Sequence, residues 1–143
     1  MTESRATVGV VDDDASVRRG LERLLGSAGY HVESFASARE FLARGDYDRL
    51  ACLVLDVRMP GQNGLDLQAV LADSHHDIPV IFITGHGDIP IAVRAMKAGA
   101  VDFLPKPFDA QALFDAIERA LAKDRRRRLD AGVRASRPAA GDT

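Results

Sequence analysis

Residues 52–84 read CLVLDVRMPGQNGLDLQAVLADSHHDIPVIFIT and hold one complete βαβ unit. The runs CLVL (52–55) and VIFI (80–83) are apolar throughout, the pattern of strands covered on both faces of a parallel sheet. Between them Leu65, Leu67, Val70 and Leu71 place a helix. The alternation continues in both directions. TVGVV (7–11) and YHVESF (30–35) lie upstream and VDFL (101–104) downstream, and YHVESF alternates in polarity as an edge strand does. Val17, Leu21, Leu24, Leu25 and Ala28 form one helical stripe, and Ser37 with Glu40 reads as a capping box opening a helix that stops near Gly45. Pro90 in a first turn opens a fourth helix ending at Gly99. Asp109 caps a fifth that carries Leu113, Ile117, Ala120 and Leu121. The count is five βα units. Right-handed crossovers then predict an α/β, flavodoxin-like, doubly wound sheet of five parallel strands in the order 2-1-3-4-5.

Composition narrows the class. The chain has 143 residues, 46% hydrophobic and 28% charged, which is one globular domain that needs no disulfide or structural metal to fold. Cys52 is the single cysteine, so no disulfide framework exists and a reducing, cytoplasmic setting is expected. No signal-peptide core and no apolar run long enough to span a membrane occurs. From Lys123 onward seven basic residues face three acids, whereas residues 1–122 carry a net charge of −6. The acidic body argues against a nucleic-acid-binding face, and residues 123–143 read as a separate basic segment, frayed or disordered beyond about Arg128. The run Arg125 to Arg128 lacks interleaved aromatics and a recognition helix, so it reads as a solvated helix end at the negative pole of the dipole rather than a nucleic-acid contact.

In such sheets ligands bind at the carboxyl ends of the strands. Asp12, Asp13 and Asp14 follow the first strand, Asp56 ends the third, Thr84 the fourth, and Lys106 follows the fifth. Clustered carboxylates raise one another's pKa unless a cation joins them, and a donor set of oxygens alone selects Mg²⁺. Lys106 supplies a point charge and Thr84 a hydroxyl for phosphoryl oxygens, while a strand-end carboxylate such as Asp56 can act as the nucleophile. The chemistry indicated is phosphoryl transfer. Asp14 serves equally well as the cap of the first helix. His75 and His76 read as exposed loop residues, and the base rate favours a trans bond before Pro107.

The acids of VVDDD, the segment DVRMPGQNGL (56–65), ITGHGD (83–88) and KPF (106–108) together resemble the receiver domain of two-component response regulators, most closely its FixJ-type subgroup, over residues 7–122. The resemblance implies that Asp56 accepts a phosphoryl group from a sensor histidine kinase. It also implies that Asp12, Asp13, Asp56 and the backbone carbonyl of Arg58 hold Mg²⁺. Thr84 and Phe103 become a switch pair, and Arg58 and His86 set the lifetime of the phosphate. The face formed by the fourth helix, fifth strand and fifth helix becomes the readout, through homodimerisation on phosphorylation or an output domain that controls transcription. Receivers of this type usually continue into a helix-turn-helix domain, for which residues 123–143 are too short. A stand-alone receiver and a chain cut at its linker are therefore both open. Two rivals remain at this point: a haloacid-dehalogenase-type phosphatase with Asp12 as nucleophile, and a receiver-like scaffold that is never phosphorylated.

Overall fold

The computed structural model describes residues 6–59, 63–74, 76–85 and 89–136. Its strands are β1 (Thr7–Val11), β2 (His31–Phe35), β3 (Cys52–Asp56), β4 (Val80–Thr84) and β5 (Asp102–Pro105), and its α-helices are α1 (Ala15–Ser27), α2 (Ala38–Arg44), α3 (Gly64–Asp73), α4 (Ile89–Lys97) and α5 (Ala110–Ser136). The strands form one parallel sheet in the order β2-β1-β3-β4-β5, as the sequence predicts. Every residue of β3 and β4 is buried, whereas β2 lies at an edge and is mostly half-buried.

The two-residue period of the strands sorts their side chains into two cores. Val8, Val10, Cys52, Val54, Ile81 and Ile83 meet α1 and α5 through Leu21, Leu25, Leu113, Ala116, Ile117 and Ala120. On the opposite face Val11, Leu53, Leu55, Val80 and Phe82 meet α2, α3 and α4 through Phe41, Leu67, Leu71 and Ala95. Phe41 also stacks on Tyr47 at 5.0 Å and meets the edge of Phe35 at 5.3 Å, which closes the second core beneath a 3-10 turn at Tyr47–Arg49.

Helix starts follow side-chain chemistry. Asp14 caps α1 by accepting from the Ser16 and Val17 N–H groups, Ser37 caps α2 by accepting from Glu40 N–H, and Asp109 Oδ2 accepts from Ala112 N–H at 3.0 Å. Glu40 reaches back to Ala36 N–H rather than to Ser37, one residue beyond a regular capping box.

Three expectations need correction. β5 starts and ends one residue later than VDFL, with Pro105 as its last residue on an edge strand, where the missing N–H costs no ladder bond. Over residues 129–136 the basic segment is helical rather than frayed, because α5 runs to Ser136, while 137–143 lie outside the described residues. Arg127 and Arg128 are also not a solvated helix end: both donate to Asp124 and to backbone carbonyls of the body. A reading of composition alone misses these long-range acceptors.

Candidate functional site

The parallel topology carries Asp12, Asp13, Asp56, Thr84 and Lys106 to one rim of the sheet, at or just beyond the carboxyl ends of β1, β3, β4 and β5. Asp12 is fully buried and Asp56 nearly so, while Asp13 and Asp14 are exposed. Carboxylate oxygens of Asp12, Asp13 and Asp56 all lie within 4.8 Å of one another.

Three contacts that involve the backbone hold this cluster. Asp12 Oδ1 accepts from Asp14 N–H at 2.9 Å, and its backbone carbonyl accepts from Arg18 Nη1 at 2.7 Å, which ties the end of β1 to the first turn of α1. Asp56 Oδ1 accepts from Arg58 N–H at 3.2 Å. Across the cluster, Lys106 Nζ sits 2.9 Å from Asp12 Oδ2 and 3.4 Å from Asp56 Oδ2. The first contact is an ion pair without hydrogen-bond alignment, so buried Asp12 Oδ2 accepts no hydrogen bond. The Lys106–Pro107 bond is cis, against its base rate.

Burial pushes the Asp56 carboxyl up to about 6, Asp12's charge adds to that, and Lys106 with the Arg58 N–H pulls the other way. Burial works against the charge of Lys106, yet Asp12 and Asp56 raise its pKa overall. One ammonium is thus paired with two of the three clustered carboxylates, and Asp12 Oδ2, although 2.9 Å from it, has no aligned hydrogen bond.

That arrangement fits a hard divalent cation. The donors are all oxygen, they lie within 4.8 Å of one another, and the buried Asp12 Oδ2, ion-paired to Lys106 without an aligned hydrogen bond, has capacity left for a cation.

Gly64 opens α3 directly against this rim. A Cβ there would stand 2.5 Å from the Asp56 carbonyl oxygen and 3.0 Å from the Phe82 ring, so only glycine lets α3 approach the Asp56 backbone so closely. Asn63 caps α3 through a full capping box with Asp66. Sequence reading misses this box because Asn and Asp replace the usual Ser or Thr and Glu or Gln, although N-x-x-D before an apolar run was there to be found.

The remaining expected residues fall into place unevenly. Thr84 is buried at the end of β4 beside Pro105 of β5, and its carbonyl accepts from Lys106 N–H at 2.7 Å. Phe103 is half-buried, 6.1 Å from the Phe82 ring in the neighbouring strand. Arg58 is exposed beside Asp56. His86 lies outside the described residues, as do Asp88 and His75. His76 is not the bare loop residue expected: its Nδ1 lies 3.2 Å from Asp48 Oδ1 and its ring meets the edge of Tyr47.

Comparison with known proteins gives a consistent answer. The family model described as "Response regulator receiver domain" matches residues 8–118. The chain is 57% identical over 125 residues to nodulation protein W of Bradyrhizobium diazoefficiens, covering 87% of this chain and 55% of that protein. It is 49% identical over 114 residues to the transcriptional regulatory protein FixJ of Rhizobium meliloti, covering 80% and 56% respectively. The solved structure of response regulator StyR superposes with a TM-score of 0.87 at 53% identity, over 92% of this chain and 67% of that one. The chain therefore spans about half the length of the curated relatives it matches.

Proposed function

The chain belongs to the response regulator receiver family, in its FixJ-type subgroup, and from that premise we propose that Asp56 accepts a phosphoryl group from the phosphohistidine of a sensor histidine kinase. The observation that carries the reading is the convergence of Asp12, Asp13 and Asp56 with Lys106 Nζ 3.4 Å from Asp56 Oδ2.

A carboxylate oxygen of Asp56 forms the new O–P bond as the N–P bond of the donor breaks, and the released imidazole nitrogen takes up a proton. Asp12, Asp13, Asp56 and the Arg58 carbonyl would hold Mg²⁺ in this reading, and the ion would supply positive charge near the phosphoryl oxygens. Lys106 shields the developing charge from the opposite side, and Thr84 donates its hydroxyl to a phosphoryl oxygen. The inward movement of Thr84 vacates space that Phe103 turns into, which makes a two-state switch. Arg58 and His86, each two residues past a site residue, control the access of hydrolytic water and hence the phosphate's lifetime.

The readout is the α4–β5–α5 face. Ile89, Val93 and Met96 leave large apolar surface exposed along α4, at 75%, 45% and 44%, which suits a surface that pairs with a second copy or an output domain controlling transcription. The setting is cytoplasmic, and among the described residues no helix is long and apolar enough to cross a membrane. The only chemistry is transfer to and loss from Asp56 itself, with no nucleic-acid contact by this chain.

Family membership sets aside the phosphatase alternative. Asp12 is also poorly placed as a nucleophile, being fully buried, with one oxygen bonded to Asp14 N–H and the other against Lys106.

Intact-mass measurement after incubation with acetyl phosphate tests the reading. Wild type is expected to gain one phosphoryl group only with Mg²⁺, and Asp56→Asn none. Label that persists in Asp56→Asn but vanishes in Asp12→Asn overturns the assignment, and absence of label in every form leaves the scaffold reading standing instead.

A further inference from the structure

The inner half of α5 is held by packing. Leu113, Ala116, Ile117 and Ala120 are buried in the core beneath β3 and β4. Past Lys123 that support ends: Arg125, Arg126 and Asp130 are exposed, and Leu129 is 67% exposed. A short stretch of helix without tertiary contacts is marginal in water, yet α5 continues to Ser136.

What lies at the junction is a charge cluster. Asp124 is 4% exposed, although its neighbours on the helix are open to solvent. Its Oδ1 accepts from Arg127 Nε at 3.0 Å and Nη2 at 2.5 Å, and its Oδ2 accepts from Arg128 Nε at 2.7 Å. Both guanidinium groups then reach off the helix. Arg128 Nη2 donates to the Asp48 carbonyl at 2.6 Å and the Leu50 carbonyl at 3.3 Å, and Arg127 Nη2 donates to the same Leu50 carbonyl at 3.5 Å. Arg127 Nη1 also lies 3.7 Å from Asp48 Oδ1, which His76 engages from the other side. A solvated basic run spreads its charges apart, whereas here two arginines turn inward onto one buried carboxylate and two backbone carbonyls about 80 residues away in sequence.

We propose that Asp124, Arg127 and Arg128 form a clamp that fixes the outer part of α5 to the segment before β3, so that residues 129–136 leave the domain as a rigid arm in a set direction. The forked guanidinium is what makes this work. It donates to a carboxylate with one edge and to a carbonyl with the other, which a lysine ammonium on a flexible stem does not reproduce. The inference is independent of phosphorylation, because the clamp lies at the amino ends of the strands, away from Asp56.

Paired spin labels on the full 143-residue chain test it. Arg39 on α2 is exposed, Arg134 lies in the last turns of α5, and the native Cys52 is fully buried, so Arg39→Cys/Arg134→Cys gives two defined label sites. The background chain is expected to give one narrow distance distribution. Arg127→Ala/Arg128→Ala, and equally the charge-preserving Arg127→Lys/Arg128→Lys, are expected to widen it at least about twofold and to lower amide protection over 129–136 by about tenfold, with β3 and β4 amides unchanged. Should the double variants disturb β3 and β4, Arg128→Ala alone carries the test, since its side chain is half-exposed. A distribution that stays narrow in the clamp variants, or one already broad in the background chain, overturns the proposal.

Discussion

At the carboxyl ends of the strands the chain gathers three carboxylates around one ammonium; at the amino ends it sets one buried carboxylate between two guanidinium groups. The topology accounts for the difference. Every helix that follows a strand starts at the first rim, so that rim receives positive helix poles and tolerates acids, while α1 to α4 end at the other, where basic side chains are favoured. The two clusters are satisfied to opposite degrees. Asp124 accepts three charge-assisted hydrogen bonds, whereas Asp12 Oδ2 has only an unaligned ion pair with Lys106 and Asp56 is pushed up to about 6. One rim is fully paired, and the other keeps carboxylates that its own donors leave incompletely satisfied.

The largest expected effect tests whether the receiving rim is loose in its backbone as well as its charge. Gly64→Ala forces a methyl to 2.5 Å from the Asp56 carbonyl oxygen, with the Phe82 ring at 3.0 Å closing the other side. We expect a loss of about 3 kcal/mol in urea unfolding. A loss under about 0.5 kcal/mol would mean that α3 shifts freely and the rim is soft throughout.

The same substitution on the two rims should have opposite signs. Asp124→Asn removes the charge that two arginines require and is expected to cost about 2 kcal/mol, below the usual value for a buried pair because Arg128 is half-exposed. Asp56→Asn removes a charge the fold disfavours and is expected to stabilise the metal-free protein by about 1 kcal/mol at pH 7. Equal signs would break the comparison.

The pH dependence sharpens the second case. Asp56 has a folded pKa of about 6 against an ordinary 3.8. Its contribution to stability is therefore fully present below pH about 4 and lost as pH rises through about 6. Urea midpoints of wild type and Asp56→Asn should coincide at pH 4 and diverge by pH 7, with the variant higher. Added Mg²⁺ should then raise wild type above the variant, since the ion binds the folded carboxylates.

Much of this was legible in the residues. Continuous apolar runs in CLVL and VIFI place β3 and β4 inside the sheet, and the βα alternation places Asp12, Asp56 and Lys106 on one rim without any contact being known. The outer part of α5 was not legible, for a definite reason. Its Ala and Arg residues are good helix formers, but a helix without an apolar stripe needs tertiary partners, and these are backbone carbonyls of Asp48 and Leu50, which carry no sequence signal. His76 was missed likewise, since its partner Asp48 lies 28 residues away. Asp14, which fits both a metal-site acid and a helix cap, is seen capping α1.

The smallest effects ask how far helix caps support the receiving rim. Ser37 accepts from Glu40 N–H at 3.0 Å and Asn63 from Asp66 N–H at 2.9 Å, both at helix starts beside the acids. Ser37→Ala and Asn63→Ala should each cost about 1 kcal/mol, because each leaves an orphan N–H in a first turn. The reciprocal bonds are unequal: Glu40 accepts from Ala36 N–H at 3.0 Å, whereas Asp66 accepts from Asn63 N–H at 3.4 Å. Glu40→Ala should therefore cost more than Asp66→Ala, each within about 0.5 kcal/mol. If both cap variants are neutral by urea unfolding, side-chain caps do not anchor these helix ends. The positive poles that let this rim carry its acids must then be held by core packing through Ala38, Phe41, Leu67 and Leu71 instead.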